Sequence, residues 1–194
     1  MAKILGNFHV ALLIGILLLI AAMVGLHSGA MDKYYWLQFL RYLHVWAGIL
    51  WIGLLYYFNF VQIPTMPKVP AELKPGVTKY IAPAALFWFR YAALLTVILG
   101  LLIAEMTAPG QAGRMLGLST GFRTIGIGMW LGLIMAANVW FVIWPNQKKA
   151  LGIVTVDDAS KAKAASLAMM ASRTNLILSF PMLYCMIFGA HLPG

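Results

Sequence analysis

The feature that most constrains the fold is a series of five apolar runs, each long enough to cross a lipid bilayer. A helix needs about 20 mostly apolar residues to span the hydrocarbon core. Hydrophobic residues make up 62% of the 194-residue chain and charged residues only 10%, whereas a soluble domain has about 25% charged residues. The sequence therefore predicts an all-α polytopic membrane bundle, a single domain over residues 1–194. Its five transmembrane helices would cover about residues 5–26, 37–61, 84–106, 122–144 and 166–190.

Charge and cysteine content exclude several classes of function. The net charge of +9 would suggest a nucleic-acid partner in a soluble protein. In a membrane protein it is typical of loops beside an anionic bilayer, so we expect lipid and no nucleic acid as partner. The one cysteine, Cys185, excludes a Cys-X-X-Cys-His site for c-type haem and an intrachain disulfide.

The loops alternate in their lysine content. With five crossings, most lysines fall on the side of the N-terminus, in the loops before the third and fifth runs. The positive-inside rule then predicts a cytoplasmic N-terminus and a C-terminus outside, in the periplasm. The loop before the third run, residues 62–83, carries five prolines, which predict an extended connection at the membrane surface.

Two ionisable residues lie inside the second run. Such residues are costly in a membrane helix and are expected to face the bundle interior with a function. Helical steps of 100° bring Arg41, His44 and Gly48 to one side. Imidazole is an iron ligand, and arginines can pair with haem propionates. We therefore predict a haem b held by His44, with Gly48 leaving room for the porphyrin. The remaining candidates near the same membrane face are His191 or His27 as the sixth ligand and Arg123 beside Arg41 at the propionates.

The interfacial alternative stays open for these histidines, each of which could simply hydrogen-bond a neighbour or a lipid headgroup. A second polar group lies toward the predicted cytoplasmic side. Two arginines could clamp a small planar or anionic ligand, with three asparagines as amide partners. Alternatively, the arginines snorkel to headgroups while the asparagines bond across helices. These residues are Arg90, Arg173, Asn59, Asn138 and Asn175.

Small residues repeat every fourth position in the fourth run, at Gly128, Gly132 and Ala136. This spacing puts them on one helix face and predicts close contact with another membrane helix.

Three stretches together resemble a known family. They are LRYLHVWAGILWIGLLYYFN (40–59), NVWFVIWPNQKK (138–149) and ASRTNLILSFPML (171–183). They are similar to the membrane domain of the bacterial membrane-bound urate hydroxylases, the urate oxidase N-terminal domain family, from about residue 40 onward. The pattern His-x-x-Ala-Gly-x-x-Trp at residues 44–51 also resembles, more weakly, the four-helix haem-binding protoporphyrinogen oxidases.

The resemblance implies a helical fold in a bacterial inner membrane and a redox setting. Family members typically carry more membrane helices and a C-terminal cytochrome c domain, so we expect a separate cytochrome c or respiratory complex subunit as partner. The predicted function is a haem b redox protein that relays electrons between a small-molecule substrate or quinol and that partner. The alternative is a non-catalytic accessory subunit of a larger membrane complex, without its own cofactor.

The lysine pattern predicts which residues are reachable from outside the cell. In a chain whose Cys185 is replaced by serine, a cysteine at Gly194 should react with an impermeant maleimide on intact cells, and one at Lys149 should not. The reverse labelling would contradict the predicted orientation.

Overall fold

The computed structural model describes residues 2–192, and the side chains of residues 4–192. Within that part of the chain the structure is helical and has no strand. Two short helices, Ala2–Leu5 and Gln111–Leu116, accompany five long ones. The long helices are α1 Phe8–His27, α2 Lys33–Lys68, α3 Lys74–Thr107, α4 Arg123–Ala150 and α5 Asp158–Gly189. Gly194, the labelling position, lies outside the described residues.

The chain divides into two compact units, Met1–Phe39 and Leu40–Gly194. In the first unit, Asn7 caps α1, because its side-chain oxygen accepts the backbone N–H groups of His9 and Val10. Helix α1 is apolar except for His9 and His27 near its two ends, and none of its residues is buried. A helix with no polar face needs lipid or another protein around it.

The second unit holds a helical bundle with its own hydrophobic core. The core combines side chains from α2, α3, α4 and α5, which agrees with the apolar content of the four runs. Its largest fully buried apolar side chains are Trp51, Leu55, Phe89, Met135 and Val139.

Helices α4 and α5 approach each other through small residues, as the spacing predicted. A Cβ atom on Gly128 would lie 3.0 Å from Cβ of Cys185, and one on Gly132 would lie 4.0 Å from Cε of Met186. At the end of α5, a Cβ on Gly189 would lie 2.5 Å from the backbone nitrogen of Ile125. Glycine at these positions therefore sets the distance between the two helices.

The helices extend further than the apolar runs. The predicted proline-rich loop is mostly helical, and only residues 69–73 separate α2 from α3. Pro75 lies in the first turn of α3, where proline costs no hydrogen bond. Pro64 and Pro83 lie inside α2 and α3, each two residues after a π-helical segment ends. Pro145 likewise lies inside α4, two residues after its π-helical segment ends.

Three of the long helices contain a π-helical segment, with wider turns than an α-helix. The segments are Tyr57–Gln62 in α2, Val77–Ile81 in α3 and Val139–Ile143 in α4.

Asp157 caps the N-terminus of α5, ahead of the apolar second half of the helix. The Asp157 carboxylate accepts the Ser160 hydroxyl at 2.6 Å and the Ser160 backbone N–H at 2.8 Å. These hydrogen bonds hold the pKa of Asp157 below its usual value.

Among the described residues, four helices are long and apolar enough to cross a membrane: Phe8–Ala30, Lys33–Lys68, Lys74–Thr107 and Arg123–Ala150. Helix α5 has 32 residues, and its first half carries polar residues that lower its hydropathy. The structure thus confirms an all-helical protein consistent with a membrane location, and the fifth crossing stays a prediction.

The contact at Gly128 gives a test of α4–α5 packing. We expect Gly128→Leu to destabilise the protein by about 1–3 kcal/mol, because the added side chain overpacks against Cys185. Thermal unfolding of the purified protein measures the loss. Gly53→Leu is the matched control, since Gly53 is an exposed helical glycine with no atom within 4 Å of an added Cβ. Equal unfolding temperatures for the two variants would contradict the packing.

Candidate functional site

His44 is tied to a neighbouring helix through one ring nitrogen. Its Nδ1 lies 2.8 Å from the backbone oxygen of Thr96 on α3. A carbonyl oxygen only accepts hydrogen bonds, so Nδ1 donates, and in the neutral ring Nε2 keeps its lone pair. Most metal-binding histidines have this arrangement, in which the second nitrogen donates to a carbonyl or carboxylate and fixes the ring. His44 therefore has the tautomer that an iron ligand requires.

A glycine on α3 makes room for the His44 ring. A Cβ atom on Gly100 would lie 2.9 Å from Cε1 of His44. Gly48 faces the same stretch of α3 at ordinary contact distance, with an added Cβ 3.9 Å from Cγ2 of Thr96. The sequence pattern pointed to Gly48 as the spacing residue, whereas Gly100 is the glycine that the imidazole contacts.

The other predicted haem residues lie at more exposed positions. His191 is exposed, and its Nδ1 lies 2.7 Å from the backbone oxygen of Ile187 in its own helical turn. In the first unit, the His27 ring packs against the Tyr35 ring at 5.6 Å. Arg41 and Arg123 are both exposed. Among the described residues no cluster of three or more His, Cys, Asp or Glu side chains could hold a metal ion, so iron here would depend on histidine and a porphyrin.

Two of the predicted amide residues join α4 to α5. The Asn138 side chain donates to Oδ1 of Asn175 at 2.8 Å and to the backbone oxygen of Ala171 at 2.9 Å. Asn175 is fully buried and donates to the backbone oxygen of Met135 at 3.0 Å. These bonds fit the cross-helix interpretation of the two asparagines.

The Asn59 side chain links α2 to α5, but its oxygen makes no hydrogen bond. Its Nδ2 donates to the Leu55 backbone oxygen and to Oγ of Ser172, both at 2.9 Å. Because a carbonyl only accepts, this pairing fixes which end of the amide carries nitrogen. Its Oδ1 is buried and has no hydrogen-bond partner.

The two predicted arginine clamps differ sharply in burial. Arg90 is only 8% exposed, and its guanidinium carbon lies 3.4 Å from the centre of the Trp144 ring. The rings of Tyr91 and Trp140 complete its surroundings, at 5.6 and 5.9 Å. Arg173 is exposed. The structure therefore keeps Arg90 inside an aromatic cluster and directs Arg173 away from the bundle interior.

Several buried polar atoms have no hydrogen-bond partner. The donors are Nε and Nη1 of Arg90 and Nε1 of Trp140, which belong to one aromatic cluster, and Nε1 of Trp51 on α2. The acceptors are Oδ1 of Asn59 and Oε1 of Gln62, one helical turn apart on α2. A buried polar group without a partner costs about 1–3 kcal/mol, so each group is suited to a ligand.

Sequence reasoning missed four residues that contribute to these sites. Gln62 follows Asn59 by three positions on a helix, a spacing that could have revealed it. The sequence holds no comparable signal for Ser172, Thr96 and Gly100. Thr96 acts through its backbone, and the other two act through contacts between helices that are far apart in the sequence.

Comparison with known proteins gives one finding for the C-terminal part of the chain. No curated protein and no solved structure matches the chain. Residues 116–194 match the family described as urate oxidase N-terminal. The match contains two of the three stretches on which the resemblance was based, 138–149 and 171–183, and it includes all of α4 and α5. This match confirms the resemblance over residues 116–194, and the similarity of the stretch 40–59 stays a prediction.

Proposed function

We propose that the chain is a membrane redox protein of the urate hydroxylase type, which binds haem b through His44. The observation that carries this proposal is the hydrogen bond from Nδ1 of His44 to the Thr96 backbone oxygen, because it leaves Nε2 as the iron-binding atom. The family match supports a function related to urate oxidation. When bound, the haem would supply a one-electron carrier inside the membrane.

Two residues around His44 support its role in holding a haem. Gly100 gives the His44 ring its space, and Thr96 fixes its orientation. His191 also holds Nδ1 against a backbone oxygen and leaves Nε2 free, so it remains our candidate for the second ligand. We expect a separate cytochrome c, or a subunit of a respiratory complex, to accept the electrons.

On the substrate side, the chemistry favours a small planar anion at Arg90. Its guanidinium is buried, and two of its nitrogens, Nε and Nη1, lack acceptors. The chain has only five acidic residues, at positions 32, 72, 105, 157 and 158, and all are at helix ends or in connections. Nothing on α3 or α4 near Arg90 therefore supplies a carboxylate, and an anionic ring could provide the acceptors.

The haem proposal is tested by spectroscopy. A reduced-minus-oxidised spectrum of the purified protein should show a b-type α-band, which His44→Ala should abolish. His9→Ala should keep the band, because His9 lies on the exposed helix α1. Gly100→Leu should also lose haem, since its side chain would displace the imidazole. A full band in His44→Ala would contradict the ligand assignment, and a featureless spectrum of the parent protein would favour the cofactor-free accessory subunit.

The substrate proposal is tested by a pair of arginine substitutions. Arg90→Lys should weaken urate binding about ten-fold or more, because lysine lacks the flat fork that makes two parallel hydrogen bonds to an anion. Arg173→Lys is the matched control and should bind as the parent does, since Arg173 is exposed. Calorimetry in detergent measures both affinities. If Arg90→Lys binds urate with parental affinity, the anion does not bind at Arg90.

A further inference from the structure

A cavity of about 190 Å³ lies among α2, α3, α4 and α5, at residues that sequence reasoning did not single out. Three polar side chains line it, each from a different helix: Gln62 on α2, Gln147 on α4 and Ser172 on α5. Phe58 and Phe89 contribute aromatic rings to its wall, and they pack edge to face at 5.6 Å. The cavity therefore combines amide groups with flat apolar surfaces.

One acceptor in this wall has no donor. Oε1 of Gln62 is buried and makes no hydrogen bond. Ser172 faces the cavity while its hydroxyl oxygen accepts from Asn59, whose own Oδ1 is also buried without a partner. A buried acceptor left unpaired is costly, and it is satisfied most directly by a ligand that brings an N–H or O–H group.

Size and position limit the ligand further. Drug-sized ligands occupy pockets of about 300–1,000 Å³, so this cavity suits a molecule of one or two rings. Its wall includes Met66 and Ala150, close to the ends of α2 and α4, and Ala165 in the first turns of α5. The cavity thus lies near one end of the bundle. The ends of α2 and α4 and the start of α5 also carry five lysines and two aspartates: Lys68, Lys148, Lys149, Lys161, Lys163, Asp157 and Asp158.

We infer that this cavity is a binding site for a small planar ring that carries an N–H or O–H donor on its edge. The ring packs against Phe58 and Phe89, and its donor bonds Oε1 of Gln62. Both a purine and the head group of a quinol have this chemistry. The site is separate from His44 and does not need haem, so it goes beyond the proposed function.

The experiment compares each donor-bearing ring with a matched ring that lacks the donor. Xanthine is paired with caffeine, in which methyl groups replace the N–H groups, and a tail-less benzoquinol is paired with its quinone. Binding to the purified protein is measured by calorimetry, without oxygen for the quinol. We expect at least one donor-bearing ring to bind more tightly than its partner. The ring that binds identifies the source of the ligand.

Substitution of the glutamines then locates the bound ring. Gln62→Met keeps the side-chain length and removes the acceptor, so it should weaken binding about three- to ten-fold. Gln147→Met is a second variant in case the first does not fold. Gln111→Met is the control, because Gln111 lies outside the cavity wall. If haem is bound, Gln62→Met should keep the b-type spectrum, and His44→Ala should keep ring binding.

Three results would overturn the inference. They are the failure of every ring to bind, equal affinity for rings with and without a donor, and parental affinity in both glutamine variants. A ring whose affinity falls in Arg90→Lys alone would bind at the aromatic cluster and would likewise exclude the cavity. Because His44→Ala is read by its spectrum and Gln62→Met by ligand affinity, failure of one proposal leaves the other testable.

Discussion

The close approach of α4 and α5 is the contact on which the rest of the bundle depends. Gly128 and Gly132 let the backbones come near enough for Asn138 to reach Asn175 and for Asn175 to reach the backbone of α4. In a membrane the hydrophobic effect does not draw helices together, because lipid tails are as apolar as the side chains. Helices associate there through packing of small residues and through hydrogen bonds between helices. The two effects reinforce each other here, since each amide bond requires the separation that the glycines allow.

Unlike the asparagines that join α4 and α5, a few buried polar atoms of the bundle have no hydrogen-bond partner. Protein interiors satisfy most of their buried polar groups, and those that remain unpaired call for a partner outside the chain. Among the described residues of the second unit, Arg90 and Trp140 bring unpaired donors into one aromatic cluster, and Trp51 holds a further one on α2. The unpaired acceptors, on Asn59 and Gln62, lie close together on α2. An anion fits the first group and a hydrogen-bond donor fits the second. The two proposals about ligands rest on this difference in chemistry.

The sequence predicted the helices and a close contact of α4 with another helix, because both follow from periodicity along one segment. It did not predict that α5 is the partner. It also predicted that His44 faces the bundle interior, since an ionisable group in an apolar run is costly. For Arg90 it left both a clamp and snorkelling open. It did not distinguish Arg90 from Arg173, because their burial depends on which face each helix turns to its neighbours. The partner of His44 was beyond reach for another reason. Every residue has a backbone oxygen, so the sequence does not mark that of Thr96 as a partner. The His44 ring on α2 reaches it only because α3 packs beside α2.

The π-helical segments fix more than the local shape of their helices. Each wide turn changes the rotational phase of everything that follows it, and one residue more or less turns a helix face by about 100°. Gln62 closes the π segment of α2, and Gln147 follows the π segment of α4. Both cavity amides thus owe their direction to an irregular turn upstream. Loss of a single residue from either segment would leave the composition of the helix almost intact while rotating its amide out of the cavity. If these π-helical turns were replaced by regular α-helical turns and every polar residue were kept, the same side chains would line a different surface.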